Sequence, residues 1–324
     1  MTHLLTVTMN PAVDVWTSVE RVEPVMKLRC APARRDSGGG GINVARVASR
    51  LGSGVTALYP AGGDTGQILQ RLLDAENICS IPIQIRDETR QDFTVLETAT
   101  GREFRFVLPG PQVSEAEWRR CLEAIAAFPE PLDFLVASGS LPPGVPEDFY
   151  VRIAQIARSR GAPMALDASG PPLRAAVNCG VDLLKPSLRE LRELTGKALA
   201  DQSACIEACE NLVNAGNAKA VALTLGSQGA LLTTREGAWR ARPLAVQPIS
   251  AVGAGDSFLG AMVSALVAGL SMEISFRHGV AGGTAALLAP GTQLCRAADV
   301  RGLVDRVIVE PVAFGSPGPI GRDH

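Results

Sequence analysis

Phe134-Leu-Val-Ala-Ser138 is a short apolar run that ends at the turn Leu141-Pro-Pro-Gly144, and it reads as a buried strand. Residues 146–160 are predicted to form a helix that leads to a second strand over 164–167. The same order recurs downstream, with strands and helices predicted over 183–185, 188–195, 204–215 and 220–224. Such alternation is typical of an α/β fold, a doubly wound and mostly parallel sheet flanked by helices.

The chain before residue 134 shows the same alternation, with strands predicted over 4–8 and 57–60 and helices over 42–51, 66–77 and 114–127. Three segments break it, because they alternate in polarity as half-buried strands do and have no helices between them: 81–85, 93–96 and 103–108. With the mixed region 13–35 they are predicted to form a small projecting β-sheet. The predicted core is therefore 1–12, 36–80 and 111–324, and the small sheet is 13–35 and 81–110.

Composition restricts the class of protein. Apolar residues make up 46% of the 324 residues, enough for a large core, and a net charge of −2 gives no reason to expect a nucleic-acid partner. Seven scattered cysteines without a Cys-x-x-Cys pair indicate reduced thiols. With no signal peptide and no apolar stretch near the ~20 residues of a membrane span, we expect a soluble, cytoplasmic protein without membrane contact. His278 has no thiol or acidic partner arranged beside it and is expected to be structural.

Gly253-Ala-Gly-Asp256 is the stretch with the clearest chemistry, since it precedes a long helix of small residues. Two glycines allow a tight turn that aims successive N–H groups at an anion, and the helix adds its positive N-terminal end. An aspartate there can accept a hydroxyl proton beside a phosphate, so we expect Asp256 to be a general base. The alternative is that Asp256 only caps the helix and the glycines only turn the chain.

Gly38-Gly-Gly-Gly41 followed by Asn43 is a second candidate ligand loop, because glycines allow close approach and an amide both donates and accepts hydrogen bonds. Asn43 stands where a dinucleotide fingerprint needs its third glycine, which argues against an NAD-linked oxidoreductase. No Walker A lysine pattern and no protein-kinase signature occurs. The alternative is a merely flexible loop.

The two glycine-rich runs on an alternating α/β chain resemble the ribokinase/PfkB carbohydrate kinase superfamily. The resemblance covers nearly the whole chain and narrows to the phosphosugar kinase branch through further segments: Lys27-Leu-Arg-Cys30, Thr89-Arg-Gln91, Arg105-Phe-Val-Leu-Pro-Gly110, Ser138-Gly-Ser-Leu-Pro-Pro-Gly-Val145 and Gly291-Thr-Gln-Leu-Cys295. It implies a ribokinase-like fold in which the small sheet is a lid over the sugar and commonly pairs two subunits.

The resemblance also implies a sugar-phosphate site. Sugar hydroxyls would be held by Asp14, Gly39, Gly40, Asn43 and Gly139. The substrate phosphate would meet Lys27, Arg90 and Arg105, which suits the need of a phosphate for fixed cations. The alternative for each cation is ordinary surface solubility.

On the nucleotide side, the resemblance implies contacts of ATP with Lys185, Ser187, Thr224, Gly226, Gly229, Val280 and Thr284. Glu190 would order the water shell of Mg²⁺. Ser187 stands where relatives carry asparagine, so metal affinity or nucleotide handling is expected to differ.

A monovalent cation site is implied as well, and K⁺ would be held partly by backbone carbonyls of Ser250, Val252, Ala286, Ala289, Gly291 and Gln293. Two further residues depart from the family pattern. Ala251 replaces a threonine, and Gln293 replaces an arginine found in the nearest relatives.

The predicted activity is ATP-dependent phosphorylation of a sugar phosphate, with fructose 6-phosphate as the first choice. Fructose 1-phosphate and tagatose 6-phosphate remain alternatives, because the pattern does not place the phosphate at C1 or C6. A catalytically weak sugar-phosphate sensor is an alternative of another class, favoured by Ser187 and Ala251. Retention of Asp256 and Glu190 counts against it. A homodimer through the small sheet is expected.

Overall fold

The structure is a computed structural model that describes residues 3–312. Its strands are β1 Leu4–Val7, β2 Ala12–Val19, β3 Arg34–Gly38, β4 Val55–Ala61, β5 Cys79–Gln84, β6 Arg90–Glu97, β7 Arg102–Phe106, β8 Phe134–Ser138, β9 Met164–Asp167, β10 Val181–Leu184, β11 Ala218–Thr224, β12 Ala230–Thr234, β13 Ala238–Ala241 and β14 Val309–Val312. Its α-helices are α1 Gly40–Arg50, α2 Gly63–Ala75, α3 Glu115–Ala126, α4 Phe149–Ser159, α5 Gly170–Cys179, α6 Leu188–Thr195, α7 Gln202–Asn214, α8 Ala254–Val267, α9 Met272–Ala286 and α10 Ala297–Val304.

Within residues 3–312, a ten-stranded sheet has the order β14-β13-β12-β11-β10-β9-β8-β1-β4-β5. Pairing is parallel from β5 through β11 and antiparallel from β11 through β14. The prediction of an α/β, mostly parallel sheet is therefore confirmed. A second sheet of four strands has the order β3-β2-β6-β7, which confirms the prediction of a small β-sheet.

Two apolar layers cover the two faces of the large sheet, because successive strand side chains point to opposite sides. Leu135 belongs to the apolar cluster that includes residues of α3, α4 and α5, whereas its neighbour Val136 belongs to the cluster that includes residues of α1, α8 and α9. Leu183 and Leu184 divide between the same two layers. Both faces of the sheet are thus buried. The carboxyl ends of its parallel strands remain accessible, and this is the edge where open α/β sheets bind ligands.

One predicted boundary is wrong. The sequence places residues 81–85 in the small sheet, but β5 pairs with β4 in parallel at the edge of the large sheet. The reason is that β4, α2 and β5 form a β-α-β unit, and an edge strand has the same half-buried alternation as a projecting one. The small sheet also begins at Ala12, one residue before the predicted limit at 13, and extends to Gly38, three residues beyond the predicted limit at 35. The predicted core residues 1, 2 and 313–324 lie outside the described residues.

Between residues 3 and 312, the structure has no helix long and apolar enough to cross a lipid bilayer.

Candidate active site

Asp256 lies in the first turn of α8, at the carboxyl edge of the large sheet. Gly253 is the N-cap of this helix and has a left-handed conformation, with φ 72°. A Cβ there would collide with Leu294, so glycine is required for both conformation and space. The alternative that Asp256 is the cap is therefore wrong. Gly253 instead precedes a 14-residue helix. The Ala254 N–H donates a long hydrogen bond of 3.4 Å to the Ala251 carbonyl, and the N–H groups of Gly253 and Gly255 have no hydrogen bond within residues 3–312, so they can bind an anion.

Asn43 connects the glycine-rich run to Asp256. Helix α1 begins at Gly40, two residues earlier than predicted, and this puts Asn43 in its first turn. Its Nδ2 donates a hydrogen bond of 2.8 Å to Asp256 Oδ2. Burial raises the pKa of Asp256, while the Asn43 hydrogen bond and the charges of Lys185 and Arg105 oppose that rise. A carboxylate with a raised pKa and a fixed orientation is suited to accept a proton.

The glycines of this run are required by close packing. A Cβ at Gly40 would collide with the Ser138 hydroxyl and lie 3.1 Å from the Gly139 nitrogen. Gly39 and Gly139 have φ values of 110° and 112°, which other residues rarely adopt. The two predicted sugar-binding segments therefore lie against each other. The flexible-loop alternative does not fit this packing.

Asp14 lies on the same face of the small sheet as Arg90, Asp92 and Arg105, and these four residues make up the charged face of that sheet. Burial, together with the nearby charge of Asp92, raises its pKa to about 7. A Cβ at Gly38 would lie 2.5 Å from Asp14 Oδ2, so the opposing strand leaves room only for glycine. No hydrogen bond within residues 3–312 engages the Asp14 carboxylate. It is available to accept hydrogen bonds from the hydroxyl groups of a ligand.

The three predicted phosphate cations differ in what they contact. Arg90 is held by Asp92 at 3.1 Å and by the carbonyls of Leu108 and Asn10 at 3.0 and 3.1 Å. The Arg105 side chain has no hydrogen bond or ion pair among the described residues, yet it is close enough to lower the pKa of Asp14 and Asp256. Lys27 lies in the exposed connection between β2 and β3, and nothing described here brings it to the other two.

Lys185 and Asp167 form a buried ion pair of 3.1 Å at the ends of β10 and β9. Residues 253–255 form the anion-binding turn. A Cβ at Gly255 would lie 3.5 Å from Lys185 Nζ, so this ammonium group lies beside the turn. Burial, with Asp256 and Glu190 nearby, raises the pKa of Asp167 to about 6, and Lys185 opposes this. Asp167 is not among the site residues predicted from the sequence. Its position as the last residue of a strand at the ligand-binding edge was the available signal.

Ser187 and Glu190 form a capping box at the start of α6. The Ser187 backbone N–H donates to Glu190 Oε2 at 2.8 Å, and the Glu190 backbone N–H donates to Ser187 Oγ at 3.3 Å. Serine therefore serves as the N-cap of α6 at the position where relatives carry asparagine; because the two residues are caps of similar strength, capping does not account for the departure from the family pattern. Glu190 remains only partly exposed, and its charge contributes to the pKa values of both Asp167 and Lys185.

A cleft of about 980 Å³ opens next to the anion-binding turn. Its walls are mainly apolar and include six of the seven predicted nucleotide residues: Ser187, Thr224, Gly226, Gly229, Val280 and Thr284. Lys185 lies behind it. Ala254 and Gly255 form its inner end, so a ligand in the cleft would point toward the N-terminus of α8.

The two segments of the predicted cation site are adjacent. The Ile249 N–H donates to the Leu287 carbonyl at 2.7 Å, which joins residues 250–252 to residues 286–293. The Gln293 carbonyl already accepts a hydrogen bond of 2.6 Å from Arg50. Ala286 is the last residue of α9, and its carbonyl accepts a hydrogen bond of 3.1 Å from the Ala289 N–H, while Ala289 and Gly291 lie in the loop that follows. Backbone oxygens suit a hard monovalent cation. Residues 3–312 contain no group of three or more histidine, cysteine or acidic residues arranged to hold a metal.

Comparison with known proteins gives relatives over nearly the whole length. The model of the pfkB family of carbohydrate kinases matches residues 7–299. An ATP-dependent 6-phosphofructokinase isozyme 2 of Mycobacterium tuberculosis is 45% identical over 97% of this chain and 92% of its own. A 1-phosphofructokinase of Bacillus subtilis is 32% identical over 87% and 91%.

A solved structure has the same architecture. The crystal structure of phosphofructokinase-2 from Escherichia coli in complex with potassium has a TM-score of 0.91 at 39% identity. The match covers 94% of this chain and 99% of that one. The protein is a phosphotransferase that acts on an alcohol group, and the chain belongs to the pfkB family of carbohydrate kinases.

Proposed function

We propose that the protein is an ATP-dependent 6-phosphofructokinase that converts fructose 6-phosphate to fructose 1,6-bisphosphate in the cytoplasm. The observation that carries the proposal is the place of Asp256, between the nucleotide cleft and the charged face of the small sheet. Asn43 orients its carboxylate at 2.8 Å, and the anion-binding turn begins its helix. Similarity to 6-phosphofructokinases supports the choice of sugar.

Each half of the site has a distinct task in this proposal. Asp14, the glycine backbones and Asn43 hold the sugar hydroxyls, while Arg105 and Arg90 meet its phosphate; Lys27, which lies apart from them on an exposed connection, is given no part in this arrangement. Asp256 takes the proton of the C1 hydroxyl as this oxygen attacks the γ-phosphate of ATP. The N–H groups of residues 253–255, with Lys185 beside them, stabilise the negative charge on the transferred group.

Acidic side chains support the use of Mg²⁺. Glu190 and the newly identified Asp167 present carboxylates beside Lys185, and oxygen ligands suit this ion, directly or through water. Bound Mg²⁺ would neutralise charge on the nucleotide phosphates. The carbonyls of Ser250, Val252, Ala286, Ala289, Gly291 and Gln293 would hold K⁺, with the Gln293 oxygen shared with Arg50.

We further propose a homodimer formed through the small sheet. Phe93 and Phe106 are paired neighbours on β6 and β7 and are 40% and 52% exposed. They alternate with Glu103 and Arg105, so they lie on the face opposite the active site. An apolar outer face on a thin sheet is suited to pair with a second copy. Sedimentation of the wild type and of Phe106→Ser tests this: a dimer that the substitution weakens is expected, and a monomeric wild type contradicts it.

A side-by-side assay tests the activity. Fructose 6-phosphate, fructose 1-phosphate and tagatose 6-phosphate are each supplied with Mg-ATP, with and without K⁺. We expect the highest kcat/KM for fructose 6-phosphate and a higher rate with K⁺. A higher kcat/KM for either other sugar reassigns the substrate. Calorimetric binding of a sugar phosphate without ATP turnover would instead identify a sensor.

A further inference from the structure

Strand β7 carries two charged side chains toward the active site. Glu103 and Arg105 are two residues apart and therefore lie on one face of the strand. Glu103 Oε2 accepts a hydrogen bond of 2.9 Å from Ser250 Oγ, which links the edge of the small sheet to the core. Arg105, on the same face, influences Asp14 and Asp256 electrostatically. One strand thus contacts the loop before α8 and faces the sugar half-site.

Ser250 passes this contact on to the anion-binding turn. Ser250 is only 5% exposed, and its Oγ also accepts a hydrogen bond of 3.2 Å from the Val252 N–H. A serine hydroxyl has one hydrogen to donate. When Glu103 takes it, the hydroxyl oxygen is left oriented toward Val252, the residue before Gly253. A continuous path runs from the Glu103 carboxylate to the N-cap of α8.

We propose that Glu103 is a positioning residue that couples closure of the small sheet over the sugar to the shape of the anion-binding turn. The inference rests on the proposed function, since it takes the small sheet to cover a sugar phosphate. Glu103 touches neither reactant. It acts through Ser250, so that the turn takes its binding conformation when Arg105 is brought over the sugar. Closure of this kind also keeps water from the γ-phosphate.

Three variants separate this role from a general effect on folding. Glu103→Ala removes the acceptor, Glu103→Gln keeps an oxygen acceptor without the charge, and Arg102→Ala is the matched control. Arg102 lies next to Glu103 on β7, is exposed, and points to the opposite face. We expect Glu103→Ala to lower kcat about tenfold while the KM for ATP stays within about twofold. Glu103→Gln should recover most of the loss. Arg102→Ala should resemble the wild type in kcat, and sedimentation of this variant checks that the proposed dimer is intact, because Arg102 lies on the outer face of the sheet with Phe106.

Coupling is measured in two further ways. Because water gains access, ATP hydrolysed per sugar phosphorylated should rise severalfold in Glu103→Ala. Ser250→Ala should cause a similar loss, and the double variant should be no worse than either single one. Additive losses, equal losses in Glu103→Ala and Arg102→Ala, or unchanged coupling of hydrolysis to transfer would overturn the inference.

Hydrogen exchange keeps the test independent of activity. The β7 amides should exchange more slowly in the wild type than in Glu103→Ala, both in the free protein and with fructose 6-phosphate and a non-hydrolysable ATP analogue. Equal exchange in the two proteins overturns the proposed coupling. A wild type that shows this protection but transfers no phosphate to any sugar phosphate would refute the proposed function instead.

Discussion

The two halves of the active site are built from different material. The nucleotide cleft is formed by core elements, the end of β11 with α8 and α9, and its walls are mainly apolar. The sugar half-site has one wall on a separate four-stranded sheet that carries Asp14, Arg90 and Arg105. Under the proposed function, nucleotide binding would depend on packing of core elements, whereas selectivity for a phosphorylated sugar would depend on charges carried by an element outside the core. Asp256 lies where the two halves meet.

The largest expected effect comes from the residue shared by both halves. Asp256→Asn should lower turnover by ~10²–10⁴-fold, because it removes the proton acceptor while it keeps the shape of the side chain. Affinity for ATP and for fructose 6-phosphate should change little. Stopped assays and calorimetry on the same preparation measure both quantities. Near-full turnover in a folded Asp256→Asn protein would show that the assigned base is wrong.

A charge on the small sheet should affect only the sugar. Arg105→Ala is expected to lower kcat/KM for fructose 6-phosphate by ~10–100-fold, the range for losing charge-assisted hydrogen bonds to a phosphate. The KM for ATP should hardly change. Arg102→Ala, on the same strand and the opposite face, is the control. If both substitutions have equal effects, Arg105 does not contact the phosphate.

A charge in the apolar cleft should affect only the nucleotide. Val246 lines the cleft, and its neighbour Gln247 does not. Val246→Asp should raise the KM for ATP about tenfold, because it desolvates a carboxylate near an anionic ligand. Gln247→Asp adds the same charge outside the cleft and should leave this KM close to that of the wild type. A matching rise in both variants would place the nucleotide elsewhere.

The smallest effect is a pH dependence on the sugar side. The pKa of Asp14 is raised from its usual 3.8 to about 7, so the folded protein binds this proton more tightly than the unfolded chain. Its contribution to stability is present below about pH 4 and is lost as pH rises toward 7. Asp14→Asn should therefore raise Tm at pH 8, by roughly 3 °C, and have less effect at pH 5. A lower Tm at pH 8 would contradict the shifted pKa.

Sugar binding should follow the opposite trend, since the ionised carboxylate accepts hydroxyl hydrogen bonds. The wild-type Kd for the sugar phosphate should fall between pH 6 and 8, and Asp14→Asn should flatten this change while it weakens binding. Calorimetric titrations at several pH values provide the measurement. A pH trend that survives in Asp14→Asn would have to come from the substrate phosphate.

Local patterns in the sequence were sufficient for the fold but not for every boundary. Alternating strands and helices from residue 134 to 224 predicted the large sheet, because each element buries neighbours close in sequence. β5 was placed in the wrong sheet, since the polarity of an edge strand does not identify its partner. The capping box Ser187–Glu190 could have been predicted, because serine followed three residues later by glutamate is its signature.

The site shows the same division. The glycine runs predicted the tight turn at residues 253–255 and the close backbone approach at residues 38–41, because both require residues without a side chain. Asp167 and Glu103 were not predicted. A single acidic residue at a strand end or on an exposed strand has no distinctive neighbours in sequence, and its partners Lys185 and Ser250 are brought to it only by tertiary packing.

The claim that the small sheet selects a phosphorylated sugar is tested most directly by one ratio. It is kcat/KM for fructose 6-phosphate divided by kcat/KM for fructose, measured with Mg-ATP in the wild type and in Arg105→Ala. The account predicts a ratio of ~10³ or more in the wild type, from two or more charge-assisted contacts, and a ratio at least tenfold smaller in the variant. Equal use of the two sugars, or a ratio unchanged by Arg105→Ala, would contradict it.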